Sequence, residues 1–272
     1  MTRPQGRAAI RDLLTRHGHR PNKSLGQHFI ADPNVIDRIV RTASVGPGDL
    51  VVEVGAGTGT LTRALAATGA TVTAYEVDTH LEPVLSEALE GLDVDLRFAD
   101  VTDVVLVNEL AGGPWTLVAN LPYNVGTPLL LDVLRHTPTI ERFVVMVQRE
   151  VADRLTAAPG SRTYGLPSIV VGLRSSVVGS FPVSRNVFIP PPDVDSAVIE
   201  LQRIDPHRLV DEAERLAAAA FGQRRKMLRR SLASVLDDPT GVLEAAGLDP
   251  TARAENLAPF DYILVAERLE ET

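Results

Sequence analysis

The run Val51-Val52-Glu53-Val54-Gly55-Ala56-Gly57-Thr58-Gly59-Thr60 decides the reading of this chain. Its first half has the apolar character of a buried strand, and it breaks into glycines at alternate positions. Glycines at 55, 57 and 59 let backbone approach a ligand with no Cβ in the way, and residues 60–66 then take up helical spacing. A dinucleotide-binding loop would place its third glycine one residue later, so this spacing leans toward an adenosyl cofactor rather than a nicotinamide one. The plain alternative is an ordinary glycine turn between a strand and a helix.

Downstream, a strand followed by an acid recurs. Residues 71–77 read as a strand carrying Glu76 at its end, about 20 residues beyond Gly55, where an acid can accept both ribose hydroxyls or simply be solvated. After a helical stretch over 79–89 comes a short strand, 94–98, with Asp100 just past it, placed to accept from an adenine amino group. Residues 116–119 form a fourth strand, with Asn120-Leu121-Pro122-Tyr123 at its carboxyl end, the edge where open α/β sheets bind ligands. The alternation continues with a helix over 128–135, a strand over 143–147 and a helix over 149–156, and Pro159-Gly160 breaks it. Residues 177–181 and 194–201 read as a closing antiparallel pair, with Phe188 and a proline run, 190–192, between them. From about Pro206 the spacing is helical throughout, which places a domain boundary near 205: a first domain over 1–205 and a helical one over 206–272.

Upstream of the glycine loop, Ile10, Leu13 and Leu14 sit at helical spacing among arginines, a basic amphipathic helix over 8–17. Residues 22–30 are too polar for a core strand, and a loop of Gly26, Gln27, His28 and Phe29 suits the cover of a ligand; no partner for His28 makes it a base. Asp32-Pro33 then starts a helix.

At 272 residues and 44 % hydrophobic content, the chain can build one large domain and a small appendage. No stretch approaches the roughly 18 apolar residues of a membrane span, and the basic start lacks the apolar segment of a signal peptide, so a cytoplasmic location with no membrane partner is expected. The absence of cysteine excludes disulfides, thiolate metal sites and a cysteine nucleophile, and no metal is expected. A net charge of −8 argues against a polyanionic partner for the chain as a whole, but the distribution is uneven. Arg3, Arg7, Arg11, Arg16, Arg20 and Lys23 face a lone Asp12, and Arg224, Arg225, Lys226, Arg229 and Arg230 crowd one turn region. The 8–17 helix either docks on the core or contacts RNA; the second cluster is either a phosphate-binding surface or a solvated helix face.

The sharpest chemistry lies in Asn120 to Tyr123. The asparagine oxygen can accept one N–H of an exocyclic amine and the Leu121 carbonyl the other, because proline pushes residue 121 toward an extended conformation. Tyr123 can stack on the flat base, and Phe188 is a second stacking face unless it is a core aromatic.

Taken together, these residues resemble the ribosomal RNA adenine N6-dimethyltransferases, and within them the bacterial small-subunit branch. The match runs in the family's order through 23–30, 53–59, 75–78, Asp100, 120–123, 148–152, 164–165, 188–196 and 221–228, nearly the whole chain. The resemblance implies an α/β fold, a Rossmann-like S-adenosylmethionine-dependent methyltransferase sheet with a small C-terminal all-helical domain. It implies S-adenosylmethionine held by His28, Ile30, Gly55, Glu76, Asp100 and Asn120, with Gln27 and Gly57 beside them. Target adenine would lie between Tyr123 and Phe188 with its amine on Asn120 and Leu121, and RNA phosphates on Arg224, Arg225, Lys226 and Arg229. The implied substrate is a pair of adjacent adenosines in the 3′-terminal hairpin of 16S rRNA, each methylated twice, within an immature small ribosomal subunit. A monomer is expected, since no dimer seam shows. At 161–168 the chain departs from the family, with a proline at 167 where the family usually has none. Two other readings stand beside this one: a 23S rRNA methyltransferase of the macrolide-resistance type, and an RNA-binding assembly factor for which methylation is secondary. A DNA adenine methyltransferase would usually carry Asp-Pro-Pro-Tyr at the same edge, so no DNA partner is expected.

Overall fold

The structure is a computed structural model that describes residues 5–123 and 125–271; Arg3 of the basic start lies outside them. The chain begins with α1 (Arg7–Arg16), β1 (Phe29–Ile30) and α2 (Pro33–Ala43). It continues through β2 (Leu50–Val54), α3 (Thr60–Ala66), β3 (Thr71–Glu76), α4 (Glu82–Ala88), β4 (Val94–Phe98) and α5 (Leu106–Glu109). Then come β5 (Trp115–Asn120), α6 (Gly126–His136), β6 (Ile140–Gln148), α7 (Arg149–Leu155) and α8 (Leu166–Arg174). The chain closes with β7 (Ser175–Val183), β8 (Phe188–Ile189), β9 (Ser196–Arg203), α9 (Val210–Gly222), α10 (Leu228–Ser231), α11 (Pro239–Ala245) and α12 (Pro259–Glu270).

Seven strands form one sheet in the order β4-β3-β2-β5-β6-β9-β7, parallel from β4 to β6, with β9 antiparallel to β6. β2 is central because its residues can be buried completely: Val51 and Val52 are 0 % exposed, as a parallel strand covered on both faces requires. Ile36 and Ile39 of α2 and Leu61 and Leu65 of α3 pack with Val51, Val72, Val118 and Val144 in one core cluster. A second cluster joins Ile10, Leu13 and Leu14 of α1 to Val84, Leu85 and Ala88 of α4 and to Ala74. Each such side chain taken from water contributes roughly 1.5–3 kcal/mol, so the apolar stripe of α1 docks that helix on the core. Its arginines stay outside, where Arg16 pairs with Asp12 and Glu87 and Arg7 donates to the Asn186 carbonyl.

Register is what positions the site. Val54 stands opposite Tyr75 on one side and Ala119 on the other, so Gly55, Glu76 and Asn120 leave three neighbouring strands at one level. β3 and β5 flank β2, and the strand order reverses there, the switch point at which such sheets bind ligands. Glu76 itself faces Phe98, which puts Asp100 two residues past the end of β4.

The chain divides into two compact units, Met1–Ala152 with Val178–Gln202 and Asp153–Val177 with Arg203–Thr272. The second unit is helical. Ile169 and Leu173 of α8 share a core with Ala213, Leu216, Ala217 and Ala220 of α9 and with Tyr262, Ile263 and Ala266 of α12. Within it the buried Arg174 is paired with Asp211 and Glu214, each at 2.7 Å.

Three sequence expectations change. The single boundary near 205 becomes two crossings, because residues 153–177 belong with the helical unit. That segment contains α8, a stretch to which the sequence reading gave no element; Pro167 occupies its first turn, where its missing N–H has no helical partner to lose. Residues 22–30 are not all loop, since Phe29–Ile30 pairs antiparallel with Phe188–Ile189 in a two-stranded ladder.

Gly59 has φ 73°, and a Cβ on it would stand 3.2 Å from the Ala88 Cβ and 3.3 Å from Leu85. Gly59→Ala is therefore expected to lower unfolding stability by about 1–3 kcal/mol, read as a fall in the urea midpoint at unchanged slope.

Candidate active site

The glycine loop and Glu76 hold each other. Gly55 has φ 81° and donates to the Tyr75 carbonyl at 2.8 Å, which turns the chain back under the end of β3. Gly57 N–H donates to Glu76 Oε2 at 2.8 Å and Asp78 N–H to Oε1 at 2.9 Å. Both carboxylate oxygens are thus oriented, and each keeps a lone pair for a ribose hydroxyl. Burial pushes the Glu76 carboxyl above its usual range, with the Asp78 and Gly57 amides opposing that shift. Asp100 is exposed and held below the ordinary carboxylate range by the Thr102 hydroxyl and amide, both bonded to Oδ1, so Oδ2 faces no competing protein donor there. It lines a cleft with Leu25, Gly55, Tyr75, Val77 and Pro122.

At the end of β5, Asn120 Nδ2 donates to the His28 carbonyl at 3.0 Å. A carbonyl only accepts, so this bond decides the orientation of the amide and leaves Oδ1 as an acceptor. Asn120 lines a cleft with Gly55, Gly57, Glu76, Gln27, His28, Leu121 and Tyr123. The Leu121 amide is anchored to the Met146 carbonyl at 3.1 Å. Tyr123 is anchored through its hydroxyl, 2.6 Å from Ser196 Oγ, and the His28 ring lies on it at 5.6 Å between centroids and 27° between planes. The His28 Nδ1 bonds the Pro190 carbonyl at 2.8 Å, so this histidine has partners that its sequence context did not reveal. Ile30 lines the floor beside Gly55 and Gly57.

Two expected site residues are placed differently. Phe188 is 0 % exposed, packed in the core with Ile30, Ile36, Val144 and Met146. Moving it to a base would forfeit about 2–3 kcal/mol of burial, as much as a base stack returns, so Tyr123 is the aromatic available without rearrangement. Gln27 is 9 % exposed with its amide hydrogen-bonded to Asp78 and Asn22, so it does not offer that amide to a cofactor.

Comparison with known proteins decides what this edge belongs to. The family model described as ribosomal RNA adenine dimethylase matches residues 18–271. The chain belongs to the ribosomal RNA adenine dimethylase family. It is 44 % identical over 263 residues to the ribosomal RNA small subunit methyltransferase A of Phenylobacterium zucineum, covering 95 % of this chain and 91 % of the relative. Identity to the protein of the same name from Streptomyces coelicolor is 46 % over 274 residues, 96 % of each. Among solved structures, a dimethyladenosine transferase from Plasmodium falciparum superposes with a TM-score of 0.78 at 25 % identity, over 90 % of this chain and 98 % of that one. The 23S rRNA methyltransferase ErmE does so at 0.69 and 29 %, over 89 % and 99 %.

The dimethylase is an S-adenosylmethionine-dependent enzyme, and its residues fit that cofactor. Besides the oriented Glu76 and the ionised Asp100, the cleft contains an acid that sequence reading treated only as strand. Glu53 is 1 % exposed, its Oε2 has no hydrogen-bond partner, and it lines the floor with Gly55, Gly57, Thr58 and Asn120. Burial, with Glu76 adding to it against the opposing Thr62 hydroxyl, pushes Glu53 up to about 8. A buried carboxyl with an unused oxygen suits a cationic ligand group, which would restore its charge. The signal in the sequence was an acid inside an otherwise apolar strand immediately before the glycines. Among the described residues no group of three or more His, Asp or Glu could hold a metal, and no helix is long and apolar enough to cross a membrane.

In the helical unit of the dimethylase, Arg225, Lys226, Arg229 and Arg230 are exposed; the Thr251 hydroxyl and amide, joined by the Arg229 charge, hold the Asp249 carboxyl below its usual range. Arg224 differs: its Nε donates to Glu255 at 2.8 Å and its Nη2 to the Arg162 carbonyl at 3.1 Å, so it braces the fold.

Because Glu53 is raised in the folded protein, folding favours its protonated form, and its ionisation destabilises as pH climbs from the unfolded value of 4.5 toward about 8. Glu53→Gln should remove that slope, up to about 1.4 kcal/mol per pH unit, so the variant gains on the parent between pH 5 and 8 in paired urea titrations.

Proposed function

We propose that this enzyme dimethylates the N6 amines of two adjacent adenosines in the 3′-terminal hairpin of 16S rRNA, on an immature small subunit. The observation that carries the chemistry is the amide of Asn120, whose nitrogen is taken by the His28 carbonyl and whose oxygen remains to accept. An adenine amine is a poor nucleophile because its lone pair is delocalised into the ring. Asn120 Oδ1 accepts one of its N–H bonds and the Leu121 carbonyl the other, which favours a pyramidal nitrogen with its lone pair directed out of the ring plane. When bound, S-adenosylmethionine supplies a sulfonium methyl as the electrophile.

Tyr123 receives the base on its ring, and its anchored hydroxyl and the His28 ring keep that face from swinging. The protein's contribution is then positioning of the amine, worth several kcal/mol of the roughly 7–11 available to well-oriented reactants, with no strong general base. A base inside a hairpin must first leave its stack, which costs least in a loop or at a helix end. Arg225, Lys226 and Arg229 supply phosphate contacts that locate the RNA without reading its sequence.

The choice of 16S over 23S rests on identities of 44 % and 46 % to relatives named for the small subunit. ErmE shares the fold, so the fold alone does not separate the two substrates. Labelled methyl groups mapped on 16S and 23S rRNA, after incubation with immature small subunits and free large subunits, should fall on adjacent 16S adenosines; label on 23S alone overturns the reading. Asn120→Ala should abolish transfer while RNA binding persists, and undiminished turnover would remove the amine grip. Changing Arg225, Lys226 and Arg229 together to Ala should weaken RNA binding and reduce the slope of log affinity against log salt by roughly 2–3, measured by filter binding.

A further inference from the structure

Gln27 is a buried polar side chain at the cleft with both ends of its amide hydrogen-bonded within the protein. Gly26, at φ 66°, turns the loop so that the next side chain points inward. Gln27 Oε1 accepts the Asn22 N–H at 2.7 Å and lies 3.3 Å from His19 Nε2, while Nε2 donates to Asp78 Oδ2 at 2.7 Å. The opposite amide orientation would set a donor against the Asn22 donor, so the network has one polarity. Asp78 Oδ1 accepts the His80 N–H at 3.1 Å, and the His80 ring Nδ1 lies 3.0 Å away. The Asp78 N–H donates to Glu76 Oε1, and Glu76 Oε2 accepts from Gly57.

We propose that Gln27 is a positioning residue that clamps the 22–30 loop to the strand end bearing Glu76, and thereby sets the affinity for S-adenosylmethionine without contacting it. One unbroken series of hydrogen bonds runs from Asn22 through Gln27, Asp78 and Glu76 to Gly57, joining the covering loop, the ribose acid and the glycine turn. The next residue, His28, is held to the other half of the site, its carbonyl by Asn120 and its ring by Pro190. The loop is therefore pinned at two adjacent residues, one toward the cofactor acids and one toward the amine grip. Residues 25–28 line the same cleft as Gly55, Gly57, Glu76 and Asn120, so releasing either pin displaces a wall of the site. Although burial opposes it, the Gln27 amide and the His80 amide and ring hold Asp78 below the usual carboxylate range, so the clamp is charge-assisted.

The clamp can be broken and rebuilt with its polarity exchanged. Gln27→Glu sets one carboxylate against another. The double variant Gln27→Glu/Asp78→Asn restores the bond, with the amide at 78 now donating and the side chain at 27 still accepting from Asn22. Cofactor affinity by calorimetry, hydrogen exchange of the 22–30 amides and the melting temperature are measured for parent, both single variants and the double variant. Gln27→Glu is expected to weaken S-adenosylmethionine binding about tenfold or more and to speed exchange across 22–30, the consequence of a buried carboxylate deprived of its donor. The double variant should return affinity to within about threefold of the parent, and kcat at saturating cofactor should change less than KM for the cofactor. Unchanged affinity in Gln27→Glu overturns the proposal, as does a loss that the double variant, folded to the parent's melting temperature, fails to recover. Because every readout concerns cofactor and loop, failure here leaves the choice between 16S and 23S rRNA untouched.

Discussion

Val54 lies opposite both Tyr75 and Ala119, and three parallel strands stop together because of it. A one-residue slip of either neighbour would turn its side chains to the opposite face and carry Glu76 or Asn120 away from the glycine turn. Complete burial of Val51 and Val52 on opposite faces enforces the alignment, since a shifted β2 would press side chains into occupied space and leave unfilled gaps elsewhere. The places of the glycine loop, Glu76 and Asn120 are thus products of one packing constraint, although 19 positions and 92 positions respectively separate the bonded pairs Gly57–Glu76 and His28–Asn120.

The site built on that edge is costly in the absence of ligand. Glu53 and Glu76 are both nearly buried and both raised chiefly by that burial, and the Glu76 charge adds to the reluctance of Glu53 to ionise. No cation among the protein's hydrogen-bond partners of Glu76 relieves this; backbone amides do, at Gly57 and Asp78. Amides from a rigid turn orient a carboxylate without neutralising it, which leaves it able to bind hydroxyls, whereas an arginine would saturate it. A ligand that satisfies these acids and binds only the folded chain stabilises the fold by RT ln(1 + L/Kd) at free concentration L, more as L rises above Kd.

Two neighbouring residues of the covering loop divide the work. His28 gives its carbonyl to Asn120 and its ring to Tyr123 and Pro190, while Gln27 turns away toward Asp78. The Asn120 amide has a defined polarity because a carbonyl from this loop consumes its donor end, so the proposed amine grip depends on the cover as well as on the end of β5. In the helical unit the same principle sorts the basic cluster. Arg224 is used by Glu255 and the Arg162 carbonyl, whereas Arg225 and Lys226 beside it are exposed.

Local pattern sufficed for the alternation of strands and helices, the glycine turn, the acids at two strand ends and Asn120 to Tyr123, because period, glycine spacing and distance along the chain carry that information. The same local pattern yielded no element between the break at Pro159-Gly160 and residue 177, and left α8, with Pro167 in its first turn, to emerge only from the structure. It could not tell that Phe188 fills the core, that Gln27 bonds protein, that Arg224 is braced or that Glu53 lacks a partner, since each depends on groups brought together by the fold. The sequence by itself determined the family, the sheet and which residue types stand at its edge. Tertiary structure alone decided which of their donors and acceptors remain for a ligand, because a hydrogen-bonding group is spoken for only once its partner, often far along the chain, has been folded against it.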